Sequence, residues 1–372
     1  MKKFLLPLLV LSLAACSGGE QGESDVIKIG YIGPMTGDAG SYGHDTKKGI
    51  DLYFQEHPTI QGKKVELIYE DAICNSQSAA SAATKLVNID QVKVIIGGQC
   101  SSETLGAAPV TEQHKVILIS PVSSSPEVRD AGDYVFRMYP SDAIVGQTLA
   151  EEALKYERIA IITESTDYAE AYHDSVLHYL VQAQEVTPVV DEIVQPNTAD
   201  FKTILQKVQN AKADVLLSIM QTPVKSGILV KQAAELGITA QIYGTDTLAG
   251  DDFEQHAKNA AKGVKMVIVA EDDSRAEVKE FKKVFGNFQA PVIFSLKSYD
   301  AAHVLADAIE AVGYDSDAIK QWLYDMPGRE GLGGPIEFDE YGENNSQAGS
   351  VKVGVEDPAT GRIVFELLRE EP

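Results

Sequence analysis

The side chains that could do chemistry in this chain lie in six short segments, each of which follows an apolar, strand-like run. The segments read IGPMTG, GGQCSS, ISPVSSSP, ITESTDYAEA, SIMQTP and YGTDTLAG. They are rich in hydroxyls, amides and a carboxylate, and poor in histidine and basic residues. Such groups bind by hydrogen bonds, whereas phosphate sites draw on clustered Lys and Arg and zinc sites on His and Cys. The segments predict a binding site for a small polar molecule, without a metal or a cofactor.

Motifs of known enzyme classes are absent from the sequence. It contains no Walker A motif, no G-x-S-x-G elbow and no H-E-x-x-H pair. His173 and His178 are five positions apart on a predicted helix, so their side chains point to different sides. We expect a binding protein; a hydrolase is disfavoured because nothing resembles a nucleophile with its base.

Length and composition set the class of the protein. With 372 residues, 44% of them hydrophobic, the chain can bury a sizeable core and is expected to form two domains. Its formal charge of −23 argues against a nucleic-acid partner, because phosphate binding draws on clustered basic residues. The same charge opposes unassisted attraction to anionic membranes.

The amino terminus has the organisation of a secretory signal. Two lysines precede an apolar run of 12 residues, 4–15, which is shorter than the roughly 20 residues of a spanning helix. The sequence LAAC, ending at Cys16, resembles the bacterial lipobox. We interpret residues 1–15 as a lipoprotein signal peptide, Cys16 as the lipidated residue and residues 16–25 as a flexible tether. The protein is therefore expected in the periplasm or at the cell surface, anchored by lipid to a bacterial membrane.

Export would place the folded body in an oxidising compartment, which bears on the remaining cysteines. With Cys16 used by lipid, Cys74 and Cys100 are an even pair, and a disulfide between them is the favoured interpretation. Two buried free thiols are the alternative. A metal site is less favoured, since no His or Cys lies at ligand spacing nearby.

Strand-like and helix-like segments alternate along the chain and position the six polar segments. Apolar runs such as VIKIGYIGP, VKVIIGG, VILISP, RIAIITE and ADVLLSIM are predicted strands, separated by segments of helical spacing. The alternation predicts an α/β architecture with parallel sheets, and it begins again at RIAIITE, which favours two lobes. Open parallel sheets bind ligands at the carboxyl ends of their strands, where the polar segments lie.

Longer stretches of the chain match a known family. The sequences IKIGYIGPMTGDAGSYGHDTKKGIDLYF, YEDAICNSQSAASAATKLV, VIIGGQCSSETLGAAPV, VILISPVSSSPEV, STDYAEA and GGPIEFDEYG resemble the type I periplasmic substrate-binding proteins of ABC importers, in the branch of the leucine/isoleucine/valine-binding proteins. The resemblance implies two lobes, each a parallel-sheet α/β sandwich, joined by three hinge crossovers near residues 137–142, 264–273 and 331–338. Lobe one would hold residues 26–140 with 272–332, and lobe two residues 141–271 with 333–372.

Within this resemblance, serines after two predicted strands have a binding role. Ser101 is expected at the amino end of a helix, where its hydroxyl and the free backbone N–H groups would hold a carboxylate. A plain helix cap is the structural alternative. Ser124 would donate from the next loop, with Ser123 as its substitute by one register. The disulfide of Cys100 would hold this corner still.

The resemblance also assigns residues to the rest of the ligand. Asp246 stands where the branched-chain proteins place an acidic residue for the ligand ammonium, with a turn-forming role as the alternative. Tyr168 matches an aromatic residue that lines the closed cleft, against simple packing, and Tyr42 would act as a lid. Opposite charges at the two ends of the site would select an α-amino acid zwitterion.

The side-chain pocket departs from the branched-chain pattern. Gln221 and Thr222 stand about where that branch has an aromatic and small residues, and Val122 and Ser123 where small apolar residues are usual. A polar or small amino acid is therefore as well supported as leucine, and amides or urea-like ligands remain open. We expect delivery of the ligand to the permease and ATPase of an ABC importer. The alternative partner is a membrane receptor that reads the closed form as a sensor.

The lipobox interpretation can be tested by replacing Cys16 with alanine. The change removes the thiol that would carry lipid, so the product should lose its acyl chains and its stable membrane anchoring. Detergent phase partitioning after expression in a bacterial host measures the loss, with the parent chain as control. A Cys16→Ala product that still enters the detergent phase contradicts the interpretation.

Overall fold

The computed structural model describes residues 26–347, 349–359 and 361–368. The predicted signal peptide, Cys16 and tether lie outside the described residues. The strands described are β1 (Val26–Gly33), β2 (Thr59–Ile60), β3 (Lys63–Asp71), β4 (Val94–Ile96), β5 (Ile117–Ser120), β6 (Val135–Arg137), β7 (Ile159–Glu164), β8 (Val190–Val194), β9 (Val215–Ile219), β10 (Gln241–Gly244), β11 (Lys265–Ile268), β12 (Arg329–Gly331), β13 (Gly334–Ile336), β14 (Ser350–Glu356) and β15 (Ile363–Leu367). The helices are α1 (Gly40–Glu56), α2 (Ser76–Asn88), α3 (Ser101–His114), α4 (Asp142–Ala153), α5 (Asp167–Leu177), α6 (Lys202–Asn210), α7 (Pro223–Glu235), α8 (Asp251–Ala257), α9 (Ala276–Phe285), α10 (Val292–Val312) and α11 (Ser316–Asp325). Among the described residues, no helix combines the length and the apolar character that crossing a membrane requires.

A six-stranded sheet in the order β2-β3-β1-β4-β5-β6 forms the first lobe. Alternate residues of its strands face opposite sides, as the pleat of a strand requires. Ile27 and Ile29 pack with α1, α10 and α11, whereas Ile95 and Leu118 pack with α2 and α3. Helices therefore bury both faces of this sheet, which explains why its strands are almost continuously apolar.

A seven-stranded sheet in the order β15-β14-β11-β10-β9-β7-β8 forms the second lobe. Ile159 and Ile161 of β7 pack with α4 and α5, and Ala160 and Ile162 pack with α6 and α7. The structure thus confirms the predicted α/β architecture in two lobes.

Both sheets are mixed, whereas the sequence predicts parallel sheets. β2 runs antiparallel to β3, and β14 and β15 add antiparallel strands beside β11. Only Gln61 and Gly62 separate β2 from β3, and a parallel pair needs a crossover of about a dozen residues. Short connections therefore force β2 and β3, and likewise β14 and β15, to pair antiparallel.

The third passage between the two sheets lies later in the chain than predicted. The chain leaves the first sheet after β6, packs α10, α11 and the separate two-stranded sheet of β12 and β13 on the first lobe after β11, and joins the second sheet again at β14. The segment predicted to cross, residues 331–338, instead includes the β13 half of the β12–β13 hairpin. Ile336 and Phe338 lie in the hydrophobic core of the first sheet, so their burial holds this hairpin on lobe one, beyond the predicted boundary at residue 332.

An ion pair joins the first and third crossing segments. Arg137, at the end of β6, is buried and donates to the Glu343 carboxylate and to the carbonyl of Ser125 at 2.8 Å. The Ser141 N–H donates to Asn345 Oδ1 at 3.0 Å. These contacts hold the two segments side by side. Loss of either charge would leave the other buried and unpaired, which is strongly destabilising.

A buried lysine of α10 lies beneath the β12–β13 hairpin. Lys297 is fully buried, and its ammonium has no hydrogen-bond partner within the described residues. The nearby Asp300 carboxylate accepts instead from the backbone N–H groups of Leu332 (2.8 Å) and Gly333 (2.7 Å). Burial lowers the pKa of Lys297 to about 8, because removal from water disfavours a cation.

Replacing Lys297 with methionine should stabilise the protein by about 2 kcal/mol at pH 7, since it removes a desolvated charge and nearly keeps the length of the side chain. The unfolded chain holds the lysine proton up to about pH 10.4, whereas the folded chain releases it near pH 8. Stability of the parent should rise with pH between these values, so the advantage of Lys297→Met should shrink by pH 10. Chemical denaturation at pH 7 and pH 10 measures both effects, with the exposed Lys231→Met as control. A destabilised Lys297→Met protein would contradict the prediction.

Candidate functional site

A cavity lies between the two lobes, where strands of both sheets end. The space in it that the centre of a water-sized molecule can occupy is about 30 Å³, so only a small ligand fits between the lobes as they stand. The first lobe supplies residues 99–101 after β4, residues 122–124 after β5, Tyr42 of α1 and Phe294 of α10. The second lobe supplies Tyr168 of α5, Gln221 after β9, and Asp246 and Thr247 after β10.

All eight residues predicted to bind a ligand lie in the wall of this cavity. They are Tyr42, Ser101, Val122, Ser123, Ser124, Tyr168, Gln221 and Asp246. The wall also contains four residues that the sequence did not assign to a ligand, namely Gln99, Cys100, Thr247 and Phe294. The first three lie in the polar segments GGQCSS and YGTDTLAG, which carried a signal for them. Phe294 lies on α10, and no local pattern indicated it.

A disulfide and a buried carboxylate fix the corner of the cavity where α3 begins. The structure confirms the bond between Cys74 and Cys100, whose Cα atoms are 5.3 Å apart. Glu103 of α3 is buried and accepts from the backbone N–H groups of Cys74 (2.9 Å), Gln99 (3.0 Å) and Cys100 (3.1 Å). Burial raises the pKa of Glu103 to about 7, because desolvation outweighs these hydrogen bonds. One side chain thus holds the backbone of two loops.

Ser101, the first residue of α3, keeps a hydrogen to donate. Its hydroxyl oxygen accepts from the backbone N–H groups of Ser124 (3.3 Å) and Ser125 (3.1 Å). Neither bond uses the hydroxyl hydrogen, and the start of a helix favours an anion because its first N–H groups lack intrahelical partners. Ser101 therefore fixes the neighbouring loop and offers a donor to the cavity.

The other two predicted serines are bonded to protein groups. Ser123 Oγ contacts Thr104 Oγ1 at 2.6 Å and donates to the carbonyl of Gly98 at 3.1 Å. Ser124 Oγ donates to the Asp142 carboxylate at 2.8 Å. The sequence predicts Ser124 as a donor to the ligand, whereas the structure directs its hydroxyl hydrogen at Asp142. Ser124 Oγ can therefore accept a hydrogen bond from a ligand but has no hydrogen left to donate to it.

Asp246 brings a carboxylate without a positive partner from the second lobe. The hydroxyls of Tyr168 (3.2 Å) and Tyr139 (3.4 Å) donate to it, and no lysine or arginine in the described part of the chain pairs with it. Burial raises the pKa of Asp246 to about 6. Burial, together with the charge of Asp246, also holds the pKa of Asp142 well above its usual range. Both shifts mark a site that lacks positive charge.

Three buried polar atoms of the wall have no hydrogen-bond partner among the described residues. They are the hydroxyl of Tyr42, Nε2 of Gln99 and Oε1 of Gln221. Buried polar groups in native proteins are nearly always paired, and an unpaired one costs about 1–3 kcal/mol. Hydrogen bonds from a polar ligand are one way to satisfy such groups.

The wall consists of hydroxyls, amides, a carboxylate and apolar groups, which suit it to binding a polar molecule by hydrogen bonds. It contains no histidine, lysine or arginine, and the hydroxyls of Ser124 and Tyr168 are bonded to the carboxylates of Asp142 and Asp246. In the described part of the chain, the one group with metal-ligand geometry is Cys74, Cys100 and Glu103. Its sulfurs are bonded to each other, so no thiolate is present to hold a metal ion.

Comparisons with known proteins identify the family of the chain. Residues 26–354 match the family model for periplasmic binding proteins. The chain is similar to a Pseudomonas aeruginosa protein named amino acid binding protein, with 28% identity over 357 residues that cover 92% of this chain and 94% of that protein. A leucine binding protein from Thermotoga maritima superposes with a TM-score of 0.80 at 26% identity, covering 91% of this chain and 97% of its own. A solute binding protein of an ABC transporter from Rhodopseudomonas palustris, solved with 3,4-dihydroxybenzoic acid, has a TM-score of 0.81 at 25% identity and covers 93% and 97%.

Asp246→Asn should stabilise the ligand-free protein by about 1–2 kcal/mol at pH 7.5, because the amide keeps the shape and removes a desolvated charge. The unfolded carboxyl has a pKa of about 3.9 and the folded one of about 6, so between these values the folded state binds more protons. Parent stability should fall as pH rises through this window, and the variant's advantage should vanish near pH 4. Thermal unfolding of protein freed of solute by dialysis in denaturant measures the effect, with the exposed Asp38→Asn as control. Equal melting temperatures at pH 7.5 would refute the idea.

Proposed function

Because the chain belongs to the periplasmic binding protein family, we propose that it captures an α-amino acid between its two lobes and delivers it to an ABC importer. Proteins of this family bind solutes and are not enzymes. The P. aeruginosa relative bears the name of an amino acid binding protein, and the chemistry of the cavity wall supports the same class of ligand.

One observation carries the proposal: the Asp246 carboxylate and the free donor of Ser101 line one cavity from different lobes. An α-amino acid has an ammonium for the first group and a carboxylate for the second. The ammonium would offset the charge of Asp246, while the carboxylate would receive the Ser101 hydroxyl and the first N–H groups of α3. The low local dielectric of a closed cavity strengthens both contacts.

Other classes of ligand leave the charge of Asp246 without compensation. An amide or a urea-like ligand is neutral, so it would satisfy hydrogen bonds but not the carboxylate. An aromatic acid, such as the 3,4-dihydroxybenzoic acid of the R. palustris complex, would add a second negative charge beside Asp246. Both cases cost electrostatic energy that a zwitterion does not. We therefore favour an α-amino acid.

Ligand binding and lobe closure would be coupled. Ser101 and Val122 line the cavity from the first lobe, and Tyr168 and Gln221 from the second, so a ligand contacts all of them only when the lobes are together. A ligand shifts a conformational equilibrium by the difference between its affinities for the two states. The closed form is then the one that a permease would distinguish.

We also propose that Cys16 carries lipid and that residues 16–25 tether the lobes to a bacterial membrane, in the periplasm or at the cell surface. The net charge of −23 opposes attraction to anionic lipid, so the lipid would supply the attachment that the body lacks. A permease and an ATPase are the expected partners. A sensor read by a membrane receptor would bind ligand in the same way, and uptake of labelled ligand by cells with and without the chain distinguishes the two uses.

The two charged ends of the ligand can be tested separately. Asp246→Asn should weaken binding by about 2–3 kcal/mol, roughly thirty- to 150-fold, as expected for a lost charge-assisted hydrogen bond. Ser101→Ala should cost less, about 1 kcal/mol, because helix N–H groups would still hold the carboxylate. Titration calorimetry with the best ligand from a thermal-shift screen of amino acids measures both variants.

The order of the two effects decides the assignment. The deficit of Asp246→Asn should disappear for a ligand analogue without the amine, which isolates the ammonium contact. Ser81→Ala, at an exposed position of α2, is the matched control for Ser101→Ala. If Asp246→Asn binds as tightly as the parent, the ammonium site lies elsewhere and the amino-acid proposal fails.

A further inference from the structure

We propose that Gln99 and Gln221 select an amino acid whose side chain ends in an uncharged group that both donates and accepts hydrogen bonds, a hydroxyl or a carboxamide. The inference rests on the proposed function, since it takes the α-amino and α-carboxyl groups to be held at Asp246 and Ser101. It names the side chain that the rest of the wall recognises.

Gln99 presents a free donor from the first lobe. Its side chain is 3% exposed, and its Oε1 accepts from Thr46 Oγ1 of α1 at 2.6 Å. Its Nε2 has no partner within the described residues. The backbone N–H of Gln99 is held by Glu103 at 3.0 Å. The residue is therefore fixed at its backbone and at its amide oxygen, and both N–H donors of Nε2 are free.

Gln221 presents a free acceptor from the second lobe. Its side chain is 8% exposed, and in the described part of the chain its Oε1 is unpaired. Its backbone N–H donates to the buried Glu164 carboxylate at 2.8 Å. The next residue, Thr222, caps α7 by accepting from the Lys225 N–H at 3.3 Å. These bonds hold the loop after β9, so the amide is presented from a fixed backbone.

A donor from one lobe and an acceptor from the other define the group that they recognise. A hydroxyl or a carboxamide can accept from Gln99 and donate to Gln221, whereas an aliphatic side chain leaves both amides unpaired in a closed cavity. A carboxylate could accept from Gln99 and from the Nε2 of Gln221, but it would leave the Gln221 Oε1 without a donor, and Asp246 would repel it. An ammonium would donate but not accept. An uncharged group with both capacities matches the pair.

The dimensions of the cavity limit the length of this side chain. The centre of a water-sized molecule can occupy only about 30 Å³ within it, and the wall includes the rings of Tyr42 and Phe294, which pack edge to face with their centroids 5.3 Å apart. Serine, threonine, asparagine and glutamine have short side chains of the required chemistry. This selectivity would separate the chain from the T. maritima relative, whose name refers to leucine.

Isosteric pairs of ligands test the inference on the parent protein. Threonine carries a hydroxyl where valine has a methyl, and asparagine carries a carboxamide where leucine has an isopropyl group. Titration calorimetry on protein freed of solute should give binding at least about tenfold tighter for the polar member of at least one pair. Aliphatic members that bind as tightly as their polar partners, or more tightly, in both pairs would overturn the inference.

Substitution of the two glutamines should shift the selectivity. Gln99→Leu and Gln221→Leu each remove one unpaired polar group, so each should lower the ratio of polar to aliphatic affinity about tenfold. Gln347→Leu is the matched control, because its Oε1 is also unpaired among the described residues but lies outside the cavity wall. It should leave the ratio unchanged. An unchanged ratio in both cavity variants would overturn the inference, and either variant decides the matter if the other does not fold.

The outcomes separate this inference from the proposed function. Tight binding of valine or leucine that is lost in Asp246→Asn would keep the amino-acid proposal and overturn the selectivity. Absence of binding to every α-amino acid would overturn both. Tight binding of threonine or asparagine that weakens in Asp246→Asn, with a polar preference that falls in Gln99→Leu, supports both.

Discussion

The buried carboxylate of Asp246 is the charge on which the proposed recognition of a ligand depends. Two tyrosine hydroxyls donate to it, but no cation in the described part of the chain offsets it. Hydroxyl donors favour the ionised form without neutralising it, so burial still raises the pKa to about 6. The protein by itself is less stable for holding this charge at neutral pH. The ammonium of the proposed ligand would supply what is missing, so the carboxylate that lowers stability would raise affinity, as is common at functional sites.

A fixed charge on one lobe is useful only if the donors on the other lobe are also held in place. Glu103 does this by accepting three backbone N–H groups from the loops that carry Cys74, Gln99 and Cys100, and the disulfide ties the same loops covalently. The Ser101 hydroxyl then binds the next loop through two more N–H groups. Donors that are already ordered lose little conformational entropy when a ligand arrives, which favours binding. The buried ion pair of Arg137 and Glu343 likewise holds two segments in place, where the chain crosses between the lobes.

The sequence by itself determined the architecture and the general location of the site. Apolar runs, helical spacing and the cysteine pair are local signals, and each reflects a preference of the backbone or of burial that does not depend on distant partners. Strands that are buried on both faces have continuous apolar sequences, so the two α/β lobes could be predicted from them. The polar residues after β4, β5, β9 and β10 were equally visible, because the carboxyl ends of parallel strands meet at one edge of a sheet.

Only the tertiary structure decided which polar atoms of the site are free. Ser124 donates to Asp142, 18 residues away, and Gln99 accepts from Thr46, 53 residues away, so a residue type alone cannot show whether its donor is already used. Phe294 reaches the wall from a helix with no local mark of binding, and the burial of Ile336 and Phe338 moves the last crossing beyond its predicted place. Hydrogen-bond partners, desolvation and pKa are set by whatever segments fold beside a group, and those neighbours come from distant parts of the chain.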